Sequence, residues 1–232
     1  MQLNLTKRSR RLLYLFLSAD IAFIIVHLIH VYTPFAESYH YSIEADRGYG
    51  ELFQYLKEYW IVIILGLLAF KKRSILYLSW SLLFFYVLLD DAIQIHEQLG
   101  MRLSDVFAFS PKFNLRAIDF GELLVSATVG LFFLIIISTA YRFGDRISKN
   151  SSRTLIVLLL ALALFGIIVD MLHQAIAIPA LHPLIGLLED GGEHVIMSII
   201  ACFVFLLPDR MNYPASQESE VSKFPSFAGR DF

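Results

Sequence analysis

Four short segments of this 232-residue chain carry side chains able to hold a cation or move a proton. They are Asp90-Asp91-Ala92-Ile93-Gln94-Ile95-His96-Glu97, Asp119-Phe120-Gly121-Glu122, Asp170-Met171-Leu172-His173-Gln174 and Glu189-Asp190-Gly191-Gly192-Glu193-His194. Together they hold nine of the 21 acidic residues and three of the seven histidines, and each adjoins a long apolar run. Carboxylates with a few imidazoles form a hard ligand set. Such a set suits Zn²⁺, Fe²⁺, Mn²⁺, Mg²⁺ or Ca²⁺ rather than Cu(I), which prefers sulfur. A divalent metal ion, with Zn, Fe or Mn the expected ones, would activate water or oxygen here. The candidate metal ligands are Asp90, Asp91, Glu97, Asp119, Glu122, Asp170, His173, Glu189, Asp190 and Glu193. His96 and His194 are the candidate catalytic acid/base groups.

Helical phase groups these residues. Asp90 and Glu97 are seven apart, Asp119 and Glu122 three, Asp170 and His173 three, and Glu189 and Glu193 four, so each pair can share one helix face. His96 and His194 lie well off the faces of Asp90 and Glu189 and are weaker members.

The elements that carry them are membrane helices. Hydrophobic residues make up 57% of the chain and charged residues 17%, against about 25% charged in a soluble domain. The apolar residues fall in blocks of about twenty, the length that crosses some 30 Å of hydrocarbon. An all-α, polytopic membrane helix bundle is expected, with about six transmembrane helices near 11–33, 52–70, 75–98, 117–141, 154–177 and 184–207. The basic start from Lys7 to Arg11 followed by a long apolar run reads as a retained first span rather than a cleaved leader. Residues 1–207 form one transmembrane domain, and the polar stretch 208–232 is expected to be a flexible cytoplasmic tail.

Lys and Arg set the orientation. With the N-terminus in the cytoplasm, fourteen basic residues lie on the cytoplasmic side. Five (Arg47, Lys57, Arg102, Lys112 and Arg116) lie on the other. Both termini are therefore expected in the cytoplasm. All four acidic segments then fall in the extracytoplasmic leaflet, roughly 8–15 Å below the helix ends.

That many carboxylates cannot stay ionised at membrane depth without compensation, because each charge costs a few kcal/mol or more. Arg116 is the nearest basic residue that the pattern supplies. Bound cations, protons or water must provide the rest. Asp119 and Glu189 also suit a plain helix-capping role at N-termini, whereas Asp90, Asp91, Glu97 and Asp170 sit near C-termini, where the dipole disfavours them. Asp20 is either paired or snorkelling. His27 and His30 could join the site or remain interfacial. His40 and His182 read as loop residues. The single Cys202 excludes an intramolecular disulfide and a cysteine zinc site, and reads as lipid-facing or packed in the core. No basic stripe with interleaved aromatics points to nucleic acid, and nothing in the pattern sets an oligomeric state.

Asp170-x-x-His173 resembles the Glu-x-x-His element of carboxylate-bridged di-metal bundles, although only one such element is present rather than two. His-Glu-x-x-His, Gly-x-Ser-x-Gly and P-loop motifs are absent. The spacing also departs from the Ser, Asp and three-His pattern of the membrane ceramidase and receptor-like hydrolases. The strings Asp90-Asp91-x-x-x-x-His96-Glu97 and Glu189-Asp190-x-x-Glu193 resemble signatures of a group of uncharacterised bacterial multipass membrane proteins. The resemblance covers two short stretches and implies a bacterial inner-membrane location, without an activity.

Three functions compete. The first is a metal-dependent membrane hydrolase or oxidase acting on a lipid or lipid-like substrate. The second is a cation or proton transport protein. The third is a metal-stabilised sensor or assembly factor. A closed site opening sideways to lipid favours the enzyme; polar residues lining a path through the inner half favour transport.

Overall fold

The structure is a computed structural model describing residues 7–176 and 178–212. It is an all-helical bundle; among the described residues no strand forms, and a lone backbone bridge joins Lys112 and Leu115. The helices are α1 (Lys7–Tyr32), α2 (Tyr49–Lys72), α3 (Ile75–Ile93), α4 (Ile95–Val106), α5 (Ala117–Phe143), α6 (Arg146–Ala163), α7 (Asp170–Ala175), α8 (His182–Phe205) and α9 (Leu207–Asn212). A wide turn of helix, Leu164–Val169, joins α6 to α7, so that 146–175 run as one rod. Six helices are long and apolar enough to cross a membrane. The expected tail begins with α9, and the rest of it lies outside the described residues.

Several helix ends differ from the sequence reading by a few residues. The second span starts at Tyr49 rather than near 52, which brings Glu51 inside the helix as well. The fifth starts at Arg146 rather than near 154, because Asp145 caps it by accepting the Ser148 N–H at 3.1 Å. The third ends at Ile93 rather than 98. Gln94 adopts a left-handed backbone (φ 55°), and the Asp90 carboxylate accepts the His96 N–H at 2.7 Å, starting α4 in a new direction.

Helix α8 is the central element, with 61% of its span buried against 11–39% for the others. It packs on α1, α2, α6 and the 164–169 turn. Helices α2 and α3 pair closely, as do α4 and α5. The α4–α5 crossing is tight because Gly100 and Gly121 bring backbone onto backbone; a Cβ on Gly121 would fall on the Gly100 carbonyl. Helix α5 buries one stripe, including Gly121, Val125, Phe133, Ile137 and Ala140. It lies on α3 and α4 and makes no comparable contact with α6, α7 or α8 among the described residues. The gap between α5 and the 164–175 segment, here called the cleft, is bridged at the acidic end by Asn114 Nδ2, which donates to the Ala175 carbonyl at 3.2 Å.

The two ends of the bundle differ. One end, here the basic end, carries Lys71, Lys72, Arg73, Arg142, Arg146 and Lys149. Its half of the core is filled by apolar side chains, among them Leu65, Trp80, Phe84, Leu155, Met197 and Val204. Cys202 is buried there. The other, acidic end receives all four acidic segments.

A candidate carboxylate–histidine cleft

The innermost polar group is one that the sequence reading did not assemble. Lys57 is fully buried, and its ammonium donates to Asp20 Oδ1 (3.1 Å), the His194 carbonyl (2.9 Å) and Ser198 Oγ (3.2 Å). His194 Nδ1 stands 3.4 Å from the same nitrogen. This contact ties α1, α2 and α8 together at mid-span. Lys57, counted above with the extracytoplasmic side, is an intramembrane cation, so the acidic segments have a basic group within the helices. His194, the candidate acid/base group off the Glu189 face, is turned toward Lys57 and Asp20.

Glu58, the next residue of α2, is also fully buried, and apart from its hydrogen-bonding contact with the Asp91 carboxyl no donor reaches its oxygens. It faces Asp91 of α3, with Glu193 of α8 beyond. Glu193 in turn lies within electrostatic reach of Asp91, Asp190, Glu189 and Asp170. Gly166 permits this: a Cβ there would collide with the Glu193 carboxylate. The widened 164–169 turn, a helical irregularity often found at functional sites, thus presents bare backbone to an acid.

The second group lies along the cleft. Glu122 of α5 lies within electrostatic reach of His96 of α4 and Asp170 of α7. Asp90 Oδ2 stands 3.1 Å from His96 Nδ1, although the ring nitrogen is poorly aligned for a hydrogen bond. That contact with Asp90 pushes the imidazole up to about 9, against the opposing effect of burial. The break at Gln94 is why Asp90 pairs with His96 rather than sharing a face with Glu97. Glu97 sits at the rim near Asp46 and Glu51, and burial raises its carboxyl. Asp119 is buried and committed to Arg116, accepting its backbone N–H (2.6 Å), Nε–H (2.9 Å) and Nη2–H (2.6 Å). That is the capping role that the sequence allowed.

The third group forms the mouth. Glu189 Oε2 accepts from His173 Nδ1 at 2.7 Å, and His173 Nε2 stands 2.7 Å from Nδ1 of His182. Glu44, from the loop after α1, reaches the same place; a Cβ on Gly186 would collide with its carboxylate and stand 3.2 Å from His173 Cε1. Asp190 lies near Glu189, Glu44 and Glu51. His27 does not enter the site: its Nδ1 accepts the Ile43 N–H at 3.2 Å and anchors the loop that carries Glu44. His30 bonds the Ala36 carbonyl in the same loop.

The residues that sequence reasoning missed are Asp20 as a partner, Lys57, Glu58, Glu44 and His182. A signal existed for two of them. Gly50, Gln54, Lys57, Ile61, Leu65 and Leu68 form one buried stripe of α2 at spacings of three and four, so Lys57 extends an apolar face. Glu58 lies beside that stripe. Glu44 and His182 sit in or next to loops, and no periodicity points to them. Among the described residues, no three of His, Cys, Asp and Glu stand together as a ready-made metal ligand set.

A six-span membrane bundle with a polar cleft at one end is thus the class of protein that fold and site define. The chain belongs to the family described as "Domain of unknown function (DUF8692)", whose model matches residues 12–207. No curated protein and no solved structure matches it.

Proposed function

We propose that this is a bacterial inner-membrane enzyme that binds a divalent cation between Glu58, Asp91 and Glu193. Its substrate would be the headgroup of a lipid or lipid-like molecule entering from the extracytoplasmic leaflet. The observation that carries the proposal is the shape of the acidic region. Carboxylates from α2, α3, α5, α7 and α8 lie within electrostatic reach of one another beside the gap between α5 and the 164–175 segment. Below the Lys57–Asp20 contact the core is largely apolar; its buried polar groups are serines, paired with Tyr77, Trp80 and the Val62 carbonyl, and no charged side chain is buried there among the described residues. A gap between spans gives a lipid access, and the lack of buried charged side chains below Lys57 among the described residues gives an ion no charged path, which supports an enzyme over a transport protein. The paired carboxyls Glu58 and Asp91, in hydrogen-bonding contact with each other and with no other donor at Glu58, have the electrostatics that a shared proton or a cation relieves. Closing a third ligand requires Glu193 to rotate toward that pair. The basic-end excess of Lys and Arg supports an orientation with both termini in the cytoplasm.

The test is plasma mass spectrometry of the purified protein in nanodiscs, with Glu58→Gln and Glu193→Gln alongside. About one equivalent of Zn, Fe or Mn in the wild type, lost in both variants, is expected. Lipid extracts incubated with the metal-loaded protein should then show a headgroup-modified product. A folded wild type that takes up no divalent ion, even when supplied, overturns the proposal.

A further inference from the structure

The histidine array at the mouth has a chemistry of its own. Glu189 and His173 are each mostly buried, with side chains 16% exposed, while His182 is exposed. The array therefore runs from the protein outward. Its hydrogen bonds have one direction if Glu189 is ionised. A carboxylate only accepts, so His173 Nδ1 donates to it. His173 Nε2 then holds a lone pair and accepts from His182 Nδ1–H. This leaves His182 Nε2 with a lone pair on the exposed residue at the outer end of the array.

We propose that Glu189, His173 and His182 form a proton relay in which His182 Nε2 is the proton acceptor for whatever occupies the cleft, Glu189 and His173 being positioning residues. The proposal builds on the enzyme reading for its substrate, although the array itself needs no bound cation. When His182 Nε2 takes a proton from a water or hydroxyl, its Nδ1 proton moves to His173 Nε2. One proton enters and none is lost, and the charge comes to lie beside the Glu189 carboxylate. Helix ends favour the same direction. His182 is the first residue of α8, where positive charge is disfavoured, and His173 lies in the last turn of the rod ending at Ala175, where it is favoured. The other titratable groups facing the array are Glu44 from the loop, Asp170 of α7 and Asp190 of α8; all three are acidic and add to the same pull. Gly186 leaves room for the Glu44 carboxylate, which a Cβ there would meet, and a Cβ would stand 3.2 Å from the His173 ring.

Diethyl pyrocarbonate, which carbethoxylates a histidine lone pair, reads the array without a substrate. The full-length protein in nanodiscs, freed of metal with a chelator, is reacted at pH 8 and each histidine is followed by peptide mass spectrometry. His40, exposed on the loop between tyrosine rings, is the internal reference. His182 is expected to react at least about fivefold faster than His40, as a nucleophile activated by an adjacent base does. In Glu189→Gln, where the amide oxygen still accepts from Nδ1 but the charge is gone, the ratio should fall to within about twofold of unity. Glu189→Asp should restore it in part. Equal rates for His182 and His40 in the wild type, or an unchanged ratio in Glu189→Gln, overturn the relay. Because the protein is metal-free, failure of cation binding at Glu58, Asp91 and Glu193 leaves this readout intact, and the two proposals fail separately.

Discussion

Single residues at mid-span act through compensation. Lys57 and Asp20 are both fully buried, and each is the other's partner. Removing one member of a buried pair leaves a charge with no relief, a loss of about 3–5 kcal/mol. Lys57→Met should therefore lower unfolding stability by about that much. Lys57→Met with Asp20→Leu should recover most of it, as chemical denaturation of the purified protein would register. Equal losses in single and double variants would mean that the pair is not what holds α1 to α2 and α8. His96 makes a different prediction, in pH. Its folded value near 9 lies above the free imidazole value of 6.5. The stabilisation from Asp90 is thus fully present below pH 6.5 and disappears as pH rises through 9. The melting temperature of the wild type should fall across that window, and Asp90→Asn should flatten this part of the profile.

At the scale of elements, close backbone approach decides what the helices can present. Gly121 lies against the Gly100 backbone, which has no side chain to move aside. Gly121→Ala must separate α4 from α5 and should cost about 1–3 kcal/mol in denaturant unfolding. Gly166 meets the far end of a side chain instead. Gly166→Ala should leave stability nearly unchanged while displacing Glu193, with cation affinity measured by calorimetry falling at least about tenfold, or 1.4 kcal/mol. A Gly166→Ala protein with wild-type affinity would separate the 164–169 turn from the site. The break at Gln94 belongs to this scale too. A continuous third helix would carry Glu97 on the Asp90 face; the left-handed residue hands that place to His96.

The whole molecule divides along its axis, with apolar packing in one half and charge in the other. The same asymmetry appears in the basic residues. Moving Lys57 into the bundle leaves fourteen basic residues on one side and four (Arg47, Arg102, Lys112 and Arg116) on the other. That sharpens the bias that sets orientation. A fluorescent protein fused after Phe232 should fold and emit in the cytoplasm of a bacterial host. Alkaline phosphatase inserted between Phe109 and Lys112 should be active in the periplasm. The reverse pattern would place the acidic cleft at the cytoplasmic face and remove the outer-leaflet substrate.

The helical membrane architecture was legible in the chain because length and apolarity are local quantities: a run of about twenty apolar residues is a span whatever its neighbours do. The agreement of the four acidic segments at one end was legible too, since alternation of direction follows from counting spans. Partnership was not. Asp20 and Lys57 are 37 positions apart, and Lys57 and His194 are 137 apart; only the packing of α1 and α2 on α8 makes them neighbours. Glu44 and His182 reached the site through a loop anchor and a helix start, which carry no periodic signal. Tertiary structure also decided which acids are taken up elsewhere, Asp119 by Arg116 and Asp90 by His96. Helix phase limits which face a side chain shares, but the identity of the group opposite depends on how the helices are arranged around the bundle.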